Sequence, residues 1–351
     1  MEESEERESR YFERYNDDSV RCIICPRMCV IKKGNRGFCK TKVNKDNRLI
    51  NLTYGRLSAI AIDPIEKKPL FHFHPGSLSL SVSSVGCSFT CPWCQNWHLS
   101  QSKPEDLNTK YMSPREVVAS AKRQECTSIS YTYNEPLINL DYVEDCSRLA
   151  KEKGVKNVLV TNGYISIQAL DRIVDVIDAA NVDWKSFSDP FYRKYCSADL
   201  QSVLDATVEM KNKGVHVEVT FLIIPEVHDA ESEAREMARY LVKNLGSNTP
   251  LHLSRFFPNY KFNHLPPTPI ETLLKARDIA RSEGVRYVYL GNVPGQGYED
   301  TFCPKCGRPA IRRIGFEVID WNLDGDNCCS TCGEPLPIVG KREDHRDRLW
   351  F

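Results

Sequence analysis

Cys87-Ser88-Phe89-Thr90-Cys91-Pro92-Trp93-Cys94 comes shortly after the run Leu78-Ser79-Leu80-Ser81-Val82-Ser83, with Gly86 at the join. Strict alternation of apolar and polar residues predicts a strand, and a glycine just past its end permits a sharp turn. The three thiols that follow are spaced C-x3-C-x2-C. Cysteine thiolates hold iron–sulfur clusters through their irons, and three are one too few for a four-iron cluster. One iron is then open to a small molecule, which makes chemistry possible. The bland alternative is a zinc site that recruits a fourth donor, for which His98 stands nearby.

Working outward, short β-rich runs alternate with amphipathic stretches. Runs at 129–133, 158–160, 181–183, 215–223, 251–254 and 287–290 read as further strands. Ser113-Pro114-Arg115-Glu116 and Thr268-Pro269-Ile270-Glu271 each order a capping hydroxyl, a first-turn proline and a reciprocal glutamate, so both predict helix starts. Ala234, Met237, Ala238 and Leu241 fall on one helical stripe, as do Ala169, Leu170, Ile173, Val174 and Ile177; both stripes read as core. Strands alternating with helices predict an α/β protein with a parallel sheet, curled into a partial (β/α)6-type barrel. Barrels of this kind carry their chemistry at the C-terminal ends of the strands, and the Cys87 loop lies at such an end.

The chain has 351 residues, 41% of them hydrophobic, enough for one large domain or several smaller ones. Lys+Arg and Asp+Glu both number 47, so no basic face of the kind nucleic-acid binding needs is evident, and no nucleic-acid partner is expected. The start, Met1-Glu2-Glu3-Ser4-Glu5-Glu6, is acidic and reads as a solvated tail, and no long apolar span follows. The expectation is a cytoplasmic protein without membrane association, its 15 cysteines mostly metal ligands in a reducing compartment.

Cysteine density divides the chain. Cys22, Cys25, Cys29 and Cys39, with Gly34 and Gly37 among them, form an early four-thiol set that fits either a structural zinc or an auxiliary iron–sulfur cluster. A metal there would order a polar segment with too few large apolar side chains for a core of its own. Cys303-Pro304-Lys305-Cys306-Gly307 and Cys329-Ser330-Thr331-Cys332-Gly333 are two C-x2-C-Gly knuckles, which read as a zinc-ribbon or rubredoxin-like module around a small β unit at 311–318, with Cys328 a bystander. The expected division is a Cys-rich N-terminal segment at 1–50, a barrel at 51–295 and the C-terminal module at 296–351. Cys126, Cys146 and Cys196 are isolated and read as small buried hydrophobes. His72 and His74 read as packing or surface residues. His252, with Arg255 on a late strand that faces a candidate substrate entrance, likewise reads as a packing or surface residue.

The C-x3-C-x2-C loop with an aromatic residue just before its third cysteine resembles the radical S-adenosylmethionine (SAM) superfamily. That resemblance implies a 4Fe-4S cluster on Cys87, Cys91 and Cys94, with SAM on its open iron and Trp93 against the adenine side of SAM. Tyr133-Asn134-Glu135-Pro136 stands where the family has a Gly-Gly-Glu-Pro-like segment, the glycines replaced, which implies Glu135 as acceptor for the cofactor's ammonium and Asn134 beside it. Thr161-Asn162-Gly163 and Asp183-Trp184-Lys185 resemble segments of glycyl-radical activating enzymes, of which the first neighbours the cofactor and the second's Asp-x-Lys pair lies in the site, which adds Thr161, Asn162, Asp183 and Lys185 to the candidate cofactor-binding set.

The wider order is the C-x2-C-P-x2-C-x9-C block, Tyr54-Gly55-Arg56, Asp63-Pro64-Ile65-Glu66-Lys67-Lys68-Pro69-Leu70, Gln95-Asn96-Trp97 after the loop, Gly291-Asn292-Val293-Pro294-Gly295 and the two-knuckle tail. It resembles the AmmeMemoRadiSam system radical SAM enzyme, a family similar to pyruvate formate-lyase activating enzymes. The resemblance implies as partners the two small proteins that give the system its name, and an electron donor of ferredoxin or flavodoxin type. The implied activity is reductive cleavage of SAM to methionine and a 5'-deoxyadenosyl radical that takes hydrogen from an unidentified substrate. Two rivals remain: an activating enzyme that installs a glycyl radical on a protein, and a non-catalytic metal-stabilised electron-transfer module.

Overall fold

The alternation at Leu78–Ser83 becomes the second strand of an eight-stranded sheet in the computed structural model, which describes residues 7–293, 295 and 297–343. The acidic start and Pro294 lie outside the described residues. The strands are β1 (Ala59–Pro64), β2 (Leu78–Ser83), β3 (Ser128–Tyr131), β4 (Lys156–Thr161), β5 (Ala179–Trp184), β6 (His216–Ile223), β7 (Leu251–Arg255) and β8 (Val288–Gly291). They lie side by side in chain order, with β1 antiparallel to β2 and all later neighbours parallel. Crossovers run through α1 (Pro114–Arg123), α2 (Leu140–Glu152), α3 (Leu200–Asn212), α4 (Ala230–Asn244) and α5 (Ile270–Ser282). This is the partial α/β barrel that the strand–helix alternation predicts.

Register gives the sheet two chemically different faces. Ser130 stands beside Ser81 and Val158, Asn181 beside Glu218, Asp183 beside Thr220, and His252 beside Thr220 and Tyr289. In parallel register such neighbours share a face, so the inner wall is rich in Ser, Asn, Asp, Glu and His. The alternate residues, among them Leu80, Ile129, Leu159, Val217 and Leu253, are buried in one core with the helix residues Val117, Val143, Val203, Met237 and Leu273. Parallel strands buried on two apolar faces read as continuous hydrophobic runs; the serine alternation marks a barrel whose interior is polar.

The N-terminal half of that interior is filled from within the chain. Ile65, Leu70 and Phe73, from the connection between β1 and β2, pack on Val158 and Ala179. Buried Glu218 accepts from the backbone N–H groups of Phe71 (3.0 Å) and His72 (2.7 Å), and its oxygens lie 3.0 Å from His216 Nε2 and 2.6 Å from His252 Nε2. Burial opposes its charge, but the two histidine contacts hold its pKa well below the usual range. His252 is therefore part of the barrel floor and does not face a substrate entrance. Arg255 donates through Nε to Thr268 O at 2.8 Å.

The C-terminal strands Thr301–Phe302, Pro309–Ile314 and Glu317–Trp321 form an antiparallel sheet against the same floor. Arg313 Nη2 donates to Phe71 O at 2.8 Å, and Ile311 and Cys303 share a core with Phe71 and Tyr289. At the other terminus, Tyr11, Val20, Ile23, Ile24, Ile31 and Leu49 are buried as part of the main core. The early segment thus borrows a core, and its order does not depend on a metal alone.

Two helix expectations are corrected. Ser113 caps α1 with the reciprocal Glu116 contact, as its pattern predicts, but Thr268 does not cap α5. Its Oγ1 donates to Ile223 O at 2.6 Å and accepts from Phe256 N at 3.0 Å, which ties two loops together instead. The stripe from Ala169 to Ile177 is buried throughout but is not one helix: Ile167–Leu170 is a short helix, and a separate turn covers Val174–Val176. The stripe is buried in the main core without a continuous helical ladder. The expected strand at 129–133 stops at Tyr131, because Tyr133 adopts a left-handed φ of 68°.

Candidate active site

The cluster loop is shaped by a close approach at Gly86. Its φ is +93°, and a Cβ there would stand 2.6 Å from Thr41 Cγ2 and 2.7 Å from Cys39 O. Only glycine fits both demands, so the early segment and the loop are locked together. Gly86 N donates to Leu99 O (2.9 Å), Thr90 N to Cys196 O (3.2 Å) and Gln101 Nε2 to Phe89 O (3.1 Å).

Each sulfur of the loop has a protein partner. Phe89 N lies 3.3 Å and Asn162 Nδ2 3.7 Å from Cys87 Sγ, Ser100 Oγ lies 3.2 Å from Cys94 Sγ, and Cys196 Sγ lies 3.8 Å from Cys91 Sγ. Burial pushes the Cys87 and Cys94 thiols up; for Cys91 the contact with Cys196 comes first and burial second. Thiols held protonated in this way give up their protons on metal binding, since the thiolate is the ligand. His98 is exposed on the short helix after the loop.

Glu135, buried just past β3, accepts from Leu137 N (3.0 Å) and Thr161 Oγ1 (2.7 Å) on one oxygen and from Asn162 N (2.8 Å) on the other. Burial raises its pKa to about 7 against those hydrogen bonds. A carboxylate has about four acceptor sites, so the oxygen facing Asn162 retains capacity for a further donor. Asn162 Nδ2 also reaches Ser88 Oγ at 3.1 Å, joining the β4 end to the cluster loop. Asn134 takes no part in open space: its Oδ1 accepts from Ser83 Oγ and Ser84 N, both at 3.0 Å, and its Nδ2 donates to Gly86 O at 3.0 Å. It positions the turn at Gly86. Tyr133 keeps the backbone geometry that glycine favours, and its hydroxyl donates to Asp63, which also pairs with Lys68 at 2.5 Å.

At the end of β5, Lys185 Nζ lies 2.7 Å from Asp183 Oδ2. Burial opposes the charge on Lys185, but Asp183 and the sulfurs of Cys91 and Cys196 outweigh it and raise its pKa. Trp93 is buried among Phe191, Phe262 and Tyr195, with ring centroids 5.4, 5.8 and 6.4 Å away. Cys196, which the sequence reading treats as filler, stands beside a cluster thiol. No sequence signal marks it, because its contact to Cys91 spans a separation of 105 residues.

The site therefore brings Cys87, Cys91, Cys94, Glu135, Thr161, Asn162, Asp183 and Lys185 to one end of the sheet. Residues 81–241 match the model of the Radical SAM superfamily. A Methanocaldococcus jannaschii protein, "Uncharacterized protein MJ0808", is 45% identical over 334 residues, covering 95% of this chain and 99% of that protein. The chain belongs to the radical SAM superfamily. It is also similar to a pyruvate formate-lyase-activating enzyme of Clostridium pasteurianum, 23% identical over 166 residues, 46% of this chain and 67% of that protein. A domain of pyruvate-formate lyase-activating enzyme from Bacteroides vulgatus ATCC 8482 aligns with TM-score 0.42 at 13% identity, over 47% of this chain and 99% of that domain. Radical SAM membership implies a 4Fe-4S cluster and SAM. The loop fits a cluster: it offers one buried and two half-buried thiols, each already met by a neighbouring donor or thiol, at the mouth of a polar barrel.

The C-terminal quartet has another geometry. Cys303, Cys306, Cys329 and Cys332 hold their sulfurs within 4.8 Å of one another, with Cys303 to Cys332 at 3.6 Å and Cys306 to Cys329 at 3.7 Å. Metal–sulfur bonds of about 2.3 Å in a tetrahedron place sulfurs about 3.8 Å apart, so this group can bind one metal ion. Gly307 N returns to Cys303 O at 3.0 Å and Gly333 N to Cys329 O at 2.8 Å, the same knuckle twice. Cys328 lies outside the set. No helix of the described residues is long and apolar enough to cross a membrane.

Proposed function

We propose that this chain is the radical SAM enzyme of an AmmeMemoRadiSam system, acting in the cytoplasm on a substrate supplied by or shared with the system's two small proteins. The observation that carries the reading is the convergence of a three-thiol loop with the Glu135–Asn162 pair at the C-terminal ends of the strands. When bound, the cluster and SAM supply reductive cleavage of the sulfonium carbon–sulfur bond, driven by one electron from a ferredoxin- or flavodoxin-type donor, and a 5'-deoxyadenosyl radical for hydrogen abstraction.

The chain's own residues bind and orient. Cys87, Cys91 and Cys94 hold three irons and leave the fourth without a protein ligand. Glu135 accepts the ammonium of SAM, while Thr161 and Asn162 fix its carboxylate. Asn134 sets the turn at Gly86, and Trp93, backed by Phe191, Tyr195 and Phe262, is the aromatic assigned to the adenine side. Lys185, paired with Asp183, places positive charge beside Cys91. The inner wall near Tyr133, Asp63 and Lys68 is polar, which suits a substrate carrying polar groups. In this reading residues 51–295 are the catalytic barrel, 1–50 the segment that braces the loop, and 296–351 a zinc-bearing module that seals the floor.

Anaerobically reconstituted protein, reduced with and without SAM, tests the reading. Its electron paramagnetic resonance signal should change on SAM addition, and 5'-deoxyadenosine should accumulate; Cys91→Ser should abolish both. Reduced protein that neither binds SAM nor forms the nucleoside would leave the electron-transfer module. The similarity to a pyruvate formate-lyase-activating enzyme supports a second reading in which the substrate is a protein glycine. It predicts a persistent glycyl-radical signal in a partner after turnover.

A further inference from the structure

The two terminal cysteine quartets share a composition and differ in spacing. At the C-terminal quartet the sulfurs have closed to single-ion distances. Among the described residues no three of the sulfurs of Cys22, Cys25, Cys29 and Cys39 lie within 4.8 Å of one another, and the same is true of Cys87, Cys91 and Cys94. The early thiols instead wall a small cavity with about 20 Å³ of room for a water-sized occupant, lined also by Ile24, Ile31 and Phe38. A cubane, with its irons at separate corners, needs thiolates spread around a void; a lone tetrahedral ion draws them together.

The cavity also holds an unspent donor. Arg27 lines it, and its buried Nε has no hydrogen-bond partner. Elsewhere on the guanidinium, Nη2 donates to Ser88 O at 3.2 Å and to Ser197 O, and the group lies 3.6 Å from the centroid of the Phe38 ring. A buried N–H without an acceptor is destabilising, a cost removed when sulfide or thiolate occupies the cavity. Buried Lys42 adds a second cation to the same wall, its Nζ donating to Ile138 O at 2.6 Å. Both cations offset the negative charge of a thiolate-bound cluster.

We propose that Cys22, Cys25, Cys29 and Cys39 hold a second 4Fe-4S cluster, with Arg27 Nε as a donor to it, while the C-terminal quartet takes a single ion. Every iron of this second cluster has a cysteine, so it does not bind SAM. The comparison with the Cys87 loop rests on the proposed function, and the test separates the two.

Iron, acid-labile sulfide and zinc are counted in the anaerobically prepared full chain, with resonance spectra taken on the reduced protein. The wild type should carry about eight irons and about one zinc. A variant with Cys87, Cys91 and Cys94 all changed to Ala should keep about four irons and a reduced signal indifferent to SAM. Cys25→Ala with Cys29→Ala should lose that signal and keep the SAM-sensitive one; should this variant fail to fold, the wild-type count and the triple variant decide. About two zincs in the wild type and an iron-free triple variant would overturn the second cluster and leave the loop reading intact. About four irons in the wild type, all kept by the triple variant, would uphold the second cluster and overturn the loop reading. Arg27→Met should lower the midpoint potential of the SAM-indifferent signal, and an unchanged potential overturns the arginine assignment.

Discussion

The backbone N–H of Asn162 donates to Glu135 Oε2 at 2.8 Å, and the side chain of the same asparagine reaches Cys87 Sγ at 3.7 Å. One residue at the end of β4 therefore holds both the carboxylate proposed for the cofactor's amine and the first cysteine of the loop. Any shift of β4 against β3 moves the two together.

Glu135 should make SAM binding pH-dependent. Its folded pKa of about 7 lies above the ordinary 4.5 because burial penalises the charge. The carboxylate that meets an ammonium thus forms as pH rises through about 7, and affinity measured by titration calorimetry should rise with it. Glu135→Gln should weaken binding by at least about tenfold, roughly the loss of one charge-assisted hydrogen bond, and flatten the profile. Linkage runs the other way for stability. A raised carboxyl pKa means that the contribution is whole below about 4.5 and declines as pH rises toward 7. Apo protein should lose melting temperature over that window, and Glu135→Gln should lose less.

Asn134→Ala should cost about 2–4 kcal/mol in denaturant unfolding, because Ser84 N and Gly86 O would be left buried with weaker partners. A surface-like change below about 0.5 kcal/mol would show that the turn at Gly86 does not depend on this side chain.

Cys196→Ala should lower the midpoint potential of the loop cluster. Cys91 Sγ donates to Cys196 Sγ at 3.8 Å; once Cys91 is a thiolate ligand it can only accept, so the Cys196 thiol becomes the donor, and donors to cluster sulfurs favour the reduced, more negative state. Redox titration followed by resonance spectroscopy reads the shift; a potential equal to wild type would mean that the thiol does not donate.

Cys306→Ala should release the ion of the C-terminal quartet and lower the melting temperature, since structural ions of this kind contribute folding free energy directly. Arg313 donates to Phe71 O from the same module, so the barrel floor should exchange amide hydrogens faster near residues 71–73. Unchanged exchange there would separate the module from the floor.

Much of the fold was legible because its signals are local. The serine alternation at 78–83, the Ser113–Glu116 capping pair and the stripe of Ala234, Met237, Ala238 and Leu241 all depend on neighbours a few residues away, and each appears in the structure. Thr268 misled for the same reason: its local pattern is a cap, yet a carbonyl 45 residues earlier, Ile223 O, claims its hydroxyl. The His252 side chain was unreadable alone, because its neighbour Glu218 comes from the adjacent strand.

The strand–helix alternation, the three-thiol loop at a strand end and the pairing of knuckles were written in the chain, because periodicity and ligand spacing are properties of contiguous residues. Folding in three dimensions set Cys196 beside Cys91, gave the early segment a share of the main core, and left one cysteine quartet closed while the other surrounds a cavity. Those outcomes depend on which distant surfaces meet and on how far apart packing holds their sulfurs, and no spacing along the chain encodes that distance.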